Sequence, residues 1–212
     1  MKTTPALVAV PLLVLALSGC TFLGGGGSGG EPADPAGEGS TSGEELEGGS
    51  TACLMDREWN LDVADTAAQL GESLSSNGLS VVSTTGEGTQ SLWFDQEGYA
   101  GSATSLTYTM VVNLDDGMVM TMAQHHEGAP GGQWAWEGEE ESTLTFTAWE
   151  DSYVVTTDTS INGIAAPTST MPAGGLGNLA GLSMTVACDG DSLTTQSEGS
   201  PFTQHWTAGA AR

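Results

Sequence analysis

Hydrophobic positions divide the chain into three stretches of different character. Residues 6–17, ALVAVPLLVLAL, form an unbroken apolar run behind Lys2. The run falls short of the roughly 20 residues a membrane-spanning helix needs and has the layout of a signal peptide. Residues 24–50, GGGGSGGEPADPAGEGSTSGEELEGGS, are almost without apolar side chains. Such a segment buries too little surface to offset its ordering entropy, so a disordered tether is predicted, with a reach of roughly 30 Å. From residue 51 onward the apolar positions become periodic, and one domain is predicted over 51–212.

Within that domain the period changes once. Val63, Ala67, Leu70 and Leu74 fall at i, i+4, i+7 and i+11, one stripe of a helix, with Asn60 or Asp62 able to cap its start and Asn77-Gly78 able to end it. Beyond it, Thr, Val and aromatic residues alternate between turn dipeptides, which predicts strands near 79–84, 89–95, 103–114, 118–126, 132–137, 143–149, 152–159, 182–188, 191–197 and 202–207. Turns are expected at Asp115-Asp116-Gly117, Gly138-Glu139 and Asp189-Gly190. A three-residue loop with Gly117 left-handed would pair Leu114 with Met118, Val112 with Met120, Met110 with Met122 and Tyr108 with Gln124. That register gathers Tyr108, Met110, Val112, Leu114, Met118, Met120 and Met122 on one face and leaves a Thr-rich face opposite, the pattern of a half-buried antiparallel sheet. A two-residue turn would mix the faces.

Three cysteines change the picture at both ends of the chain. Leu17-Ser18-Gly19-Cys20 follows the apolar run and resembles the bacterial lipobox, in which the cysteine receives diacylglycerol and becomes the mature N-terminus. Residues 1–19 are then a lipoprotein signal peptide, Cys20 is the acylation site (the palmitate-bearing position), and residues 20–50 are the tether. The competing reading is a plain secretory cleavage site. With Cys20 used, Cys53 and Cys188 remain to pair in an oxidising compartment, closing a loop of 135 residues; two free thiols are the alternative.

Ten strands, one early helix and a bond joining the ends predict a mainly β fold whose sheet closes on itself. The order of motifs carries a resemblance. Cys53 and Trp59 precede the helix, LWFDQEGY follows at 92–99, GQWAWEG at 132–138, LTF at 144–146, and VACDGDSL closes the series at 186–193. This resembles the lipocalin-like lipoproteins of actinobacteria over residues 53–207, with Arg57 standing where lipocalins carry the glycine of Gly-x-Trp. The resemblance implies an antiparallel up-and-down β-barrel of the calycin type with one N-terminal helix and a ligand cavity.

Charge narrows the partners. The chain carries 27 Asp plus Glu against 3 Lys plus Arg. Nucleic acid is excluded as a partner, since its binding relies on cations that displace phosphate counterions. A cationic envelope protein or wall polymer remains compatible, and so does the bland reading of an acidic surface as a means of solubility. Histidines are few, and His125 and His126 are adjacent on a strand, where they point to opposite faces and cannot share a metal. Composition leaves a Ser-His-Asp arrangement open, but no nucleophile elbow is present, so no enzyme activity, metal or cofactor is assigned. Glu137, Glu139, Glu140 and Glu141 read as a solvated turn in preference to a calcium loop.

The candidate binding residues are Tyr108, Met110, Met118, Met120, Met122, Trp134 and Trp136: a flexible methionine face with two aromatic neighbours suits an apolar ligand, and equally suits ordinary core. Two functions follow as expectations. One is a lipoprotein anchored to the bilayer on the extracytoplasmic face of the cell membrane that binds a small apolar ligand. The other is an envelope lipoprotein with a filled core and an acidic partner-binding surface.

Overall fold

A computed structural model of the chain describes residues 50–55, 57–139, 141–150, 152–172 and 181–211. The signal segment, Cys20 and residues 20–49 of the tether lie outside them. Two helices and twelve strands succeed one another: α1 (Ser50–Leu54), β1 (Arg57–Leu61), α2 (Val63–Ser76), β2 (Ser80–Phe94), β3 (Tyr99–Asn113), β4 (Val119–Gly128), β5 (Gly131–Trp136), β6 (Thr143–Glu150), β7 (Val154–Ile161), β8 (Ile164–Ala165), β9 (Ser169–Pro172), β10 (Ser183–Asp189), β11 (Ser192–Ser197) and β12 (Gln204–Ala211).

Eight strands close into an antiparallel barrel in the order β1-β2-β3-β5-β6-β10-β11-β12, with β12 returning to β1. Each neighbour is the next barrel strand in the chain, so the barrel is up-and-down, as expected. The expectation did not include an open extension of the same sheet. β2 and β3 are fifteen residues each and pair over nearly their whole length, but β1 meets β2 only at residues 91–93. The far halves of β2 and β3 therefore run on past the barrel and continue into β4, β7 and the short strands β8 and β9 as an open wing.

The barrel and the wing share strands that are broken where they part. β4 and β5 run in one direction along β3, separated by Ala129-Pro130, where proline removes a ladder donor. Pro130 still accepts from the Ser102 amide at 2.9 Å. β6 and β7 are divided beside it, and the Ser152 hydroxyl takes the Ala129 amide at 3.2 Å. Beside this break Gly132 pairs with Trp149, and a Cβ on Gly132 would lie 1.8 Å from the Ala148 carbonyl oxygen, so the strands approach here as only glycine allows.

Local expectations are reproduced closely at two elements. Asp62 is the α2 cap, accepting from the Asp65 amide at 2.9 Å, and Val63, Ala67, Leu70 and Leu74 are its buried stripe. The hairpin register is as predicted, with Tyr108 opposite Gln124, Met110 opposite Met122 and Val112 opposite Met120, and Gly117 has φ +72°. Other elements differ. Residues 79–84 and 89–95 are not two strands but one, because Thr-Thr-Gly-Glu-Gly pairs continuously with β3 instead of turning. Strand β1 and helix α1 were not foreseen; β1 is only five residues long and draws its stability from β2 and β12 on either side.

One core runs through both parts. Inside the barrel lie Trp59, Leu144, Leu193, Phe146, Trp206 and Phe94, and the same face continues up β3 through Leu106, Tyr108 and Met110 to meet the apolar stripe of α2. The end of the barrel where the chain enters is capped by α1. Leu54 is fully buried there, the Trp136 indole donates to the Thr51 hydroxyl at 2.7 Å, and a disulfide joins Cys53 to Cys188.

Candidate functional site

The seven predicted binding residues do not form one site. Trp134 and Trp136 stand edge-on to each other at 5.5 Å near the capped end of the barrel, and Phe94 meets Trp134 at 5.4 Å. Tyr108 is eight residues further along β3 than Ala100, the residue paired with Phe94, about 26 Å at the rise of a strand. Tyr108 and Met110 are core residues of the wing beneath α2, Met120 and Met122 are half-buried, and Met118 is exposed at the hairpin tip. The methionine face is thus mostly packed, and it is separated from the tryptophans by the length of the domain.

Dense packing also describes the barrel interior. Trp59, Leu144 and Leu193 have no surface that a water-sized sphere can touch, from outside or from within. Two grooves lie on the exterior instead. One of about 540 Å³ runs between α2 and β2 and is bordered by Glu72, Ser75, Val81 and Thr84. The other, about 620 Å³, is the acidic turn from Glu137 to Thr143.

Polar groups gather on both faces of the wing. His125 and His126 point to opposite faces, as the strand requires. On the outer face the Thr107 hydroxyl lies 2.9 Å from His125 Nδ1, His125 Nε2 lies 3.3 Å from Asp158, and the Thr168 hydroxyl donates to Asp158 at 2.6 Å. The hydroxyl, imidazole and carboxylate are those of an acyl-transfer triad, but they lie half-exposed across an open sheet face, and their evident effect is to tie β3, β4 and β7 together. On the inner face His126 is buried, hydrogen-bonded through Nδ1 to the Tyr153 hydroxyl and edge-on to Tyr108 at 5.5 Å, with Nε2 unpartnered. Burial, and secondarily the charge on His125, lowers the His126 pKa to about 4. Burial pushes Tyr108 up to about 12, against the lowering effect of the Thr66 hydroxyl.

The neutral His126 sets a pH dependence. An unfolded histidine titrates near 6.5, so between 6.5 and 4 the unfolded chain binds the extra proton and folding loses stability as pH falls. The contribution is complete above 6.5 and lost at 4, amounting to roughly 3 kcal/mol for this group. Urea titrations at pH 7, 5.5 and 4 should show that loss, and His126→Phe should flatten it. An unchanged slope in the variant would remove His126 as its source.

Sequence reasoning missed the groove beside α2 and the long flank of β2 that has no partner strand among the described residues. The Thr-Thr-Gly-Glu-Gly-Thr run at 84–89 carries two glycines and reads as a turn. The signal available was the turn chemistry: Ser80 to Phe94 holds no Asn-Gly or Asp-Gly dipeptide. Compared with protein-family models, curated proteins and solved structures, the chain matches none.

Proposed function

We propose that this is an acylated, membrane-tethered lipoprotein of the extracytoplasmic face whose domain works through its surface, as a protein-interaction module with a filled core. The observation that carries this reading is the barrel interior, occupied by its own tryptophan, phenylalanine and leucine side chains down to zero accessibility at Trp59, Leu144 and Leu193. A lipocalin-type ligand would have to displace them, at a cost of several kcal/mol for each large side chain unpacked.

Electrostatics support the same reading. Residue 50, where the tether joins, is at the capped end of the barrel. The turns at that end carry Asp95, Glu97, Glu137, Glu139, Glu141, Asp189 and Asp191, and Arg57, bound to Asp191 at 3.4 Å, is the one Lys or Arg among the described residues. Anionic headgroups repel such an end. The domain then stands off the bilayer with the wing outermost. The small-ligand reading keeps one foothold, the half-buried Met120, Met122 and Ile161 on the inner face of the wing, and the same experiment decides it.

Native mass spectrometry of the protein released from its own membranes tests both halves. The expected mass begins at Cys20, carries the diacylglyceryl group, and holds no further small molecule. A stoichiometric apolar adduct on the domain would overturn the filled-core reading, and an unacylated chain would overturn the anchor.

A further inference from the structure

We infer that the free edge of β2 is a docking strand for an extended, cationic segment of a partner protein. This rests on the reading of the domain as a surface-acting module and names where its partner binds and by what chemistry.

The edge follows from pairing. β2 has β3 along one side throughout, but on the other side β1 pairs only with residues 91–93 and ends at Leu61 opposite Gln90, so residues 82–89, VSTTGEGT, have no strand beside them among the described residues. The phase of the ladder says which groups are left over. Leu114 donates to the Met118 carbonyl at 2.8 Å and Ser102 to the Pro130 carbonyl at 2.9 Å, so even-numbered residues of β3 bond toward β4 and β5. Odd-numbered residues bond toward β2, as Tyr99 does in accepting from Asp95 at 2.9 Å. By the pairing of Thr109 with Thr85 and of Thr107 with Glu87, the odd residues of β2 are taken up by β3. Thr84, Gly86 and Gly88 therefore aim their N–H and C=O groups outward, a template for one more strand, while Gln90 faces Leu61 at the end of β1.

Proteins commonly blunt such edges with short strands, lysine or proline. The opposite margin of the wing is blunted in this way, since β8 has two residues and β9 four. The β2 margin is long and contains neither lysine nor proline. Above it lies the 540 Å³ groove, made by the small flank of α2 (Ala68, Gly71, Ser75) and by Thr84, with Glu72 at its border. A strand added about 4.8 Å outside β2 would direct alternate side chains into that groove. Charge selects the occupant. An inward-pointing lysine or arginine would meet Glu72, and an outward-pointing one would meet Glu87. A second copy of this chain would instead bring these carboxylates against their own counterparts, on molecules of net charge −24.

The probe is a nine-residue peptide alternating lysine and valine, added to the full-length protein in detergent, with amide hydrogen exchange read residue by residue. Exchange at Thr84, Gly86 and Gly88 is expected to slow at least about tenfold, while Ser83, Thr85 and Glu87, already bonded to β3, stay unchanged. Methylating every second peptide nitrogen, or replacing lysine by glutamate, should abolish the effect, and Glu72→Lys on the helix surface should weaken binding about fivefold. No protection at those three amides, or equal protection by the methylated peptide, overturns the inference. So does protection that rises with protein concentration without peptide, which would mark a contact between copies. A small-molecule adduct in the native mass spectrum would sink the functional reading whatever the edge does. A clean mass with an unprotected edge would sink the docking strand alone.

Discussion

Trp59→Ala is expected to cost the fold about 3–5 kcal/mol, the range for removing a buried tryptophan, and so a large share of a typical domain stability of about 5–15 kcal/mol. Trp59 is fully buried, sits on the five-residue β1, and pairs with Leu92 of β2 and Ala208 of β12. It closes the seam between the first and last strands of the barrel. Its indole donates to the Leu54 carbonyl at 3.2 Å, and the Arg57 guanidinium lies 5.4 Å from its ring centroid. Truncation would leave a cavity, an unpaired carbonyl and a short strand with little else to hold it. Urea unfolding followed by tryptophan fluorescence measures the cost, and Trp59→Phe, which keeps much of the ring, should lose less than half as much. A cost below about 1 kcal/mol for Trp59→Ala would mean that the interior is loosely packed, and would reopen the barrel as a ligand cavity.

The double variant Cys53→Ala/Cys188→Ala is expected to lose about 2–5 kcal/mol, near 10 °C in Tm for a domain of this size. The bond spans 135 residues of sequence, so in the unfolded chain it restricts nearly the whole domain. In the folded state it holds α1, with the buried Leu54, against the end of β10. Thermal unfolding of the double variant beside the oxidised parent gives the difference. A Tm within 2 °C of the parent would show that α1 and the β1–β12 seam hold without the bond.

These two positions differ in how far the sequence revealed them. The pairing of Cys53 with Cys188 was readable by counting, once Cys20 was read as an acylation site, although free thiols remained an alternative until the two were found bonded. Trp59 was readable as an apolar aromatic near a helix, but not as the seam of a barrel, because the strand that carries it is too short to show a period of its own. Within the candidate binding set, alternation correctly put Tyr108 and Met110 on the buried face, beside Val112. It could not say what buries them, and the answer for Tyr108 and Met110 is α2 and the core it joins.

By itself, then, the sequence determined whatever depends on neighbours a few residues apart: the stripe and cap of α2, the buried face of the 107–124 hairpin, the register fixed by Asp115-Asp116-Gly117, and the opposed directions of His125 and His126. A period of two or 3.6 is a local property and survives without knowledge of partners. Tertiary structure alone decided that the sheet both closes and diverges, that Met and Trp faces lie far apart, that Trp59, Leu144 and Leu193 are fully buried inside the barrel, and that much of β2 has no second partner strand among the described residues. The physical reason is that strand pairing is settled by contacts between distant segments. β2 runs on for eleven residues before it meets β1, and only the assembled ladder shows which of its backbone groups are left without a partner.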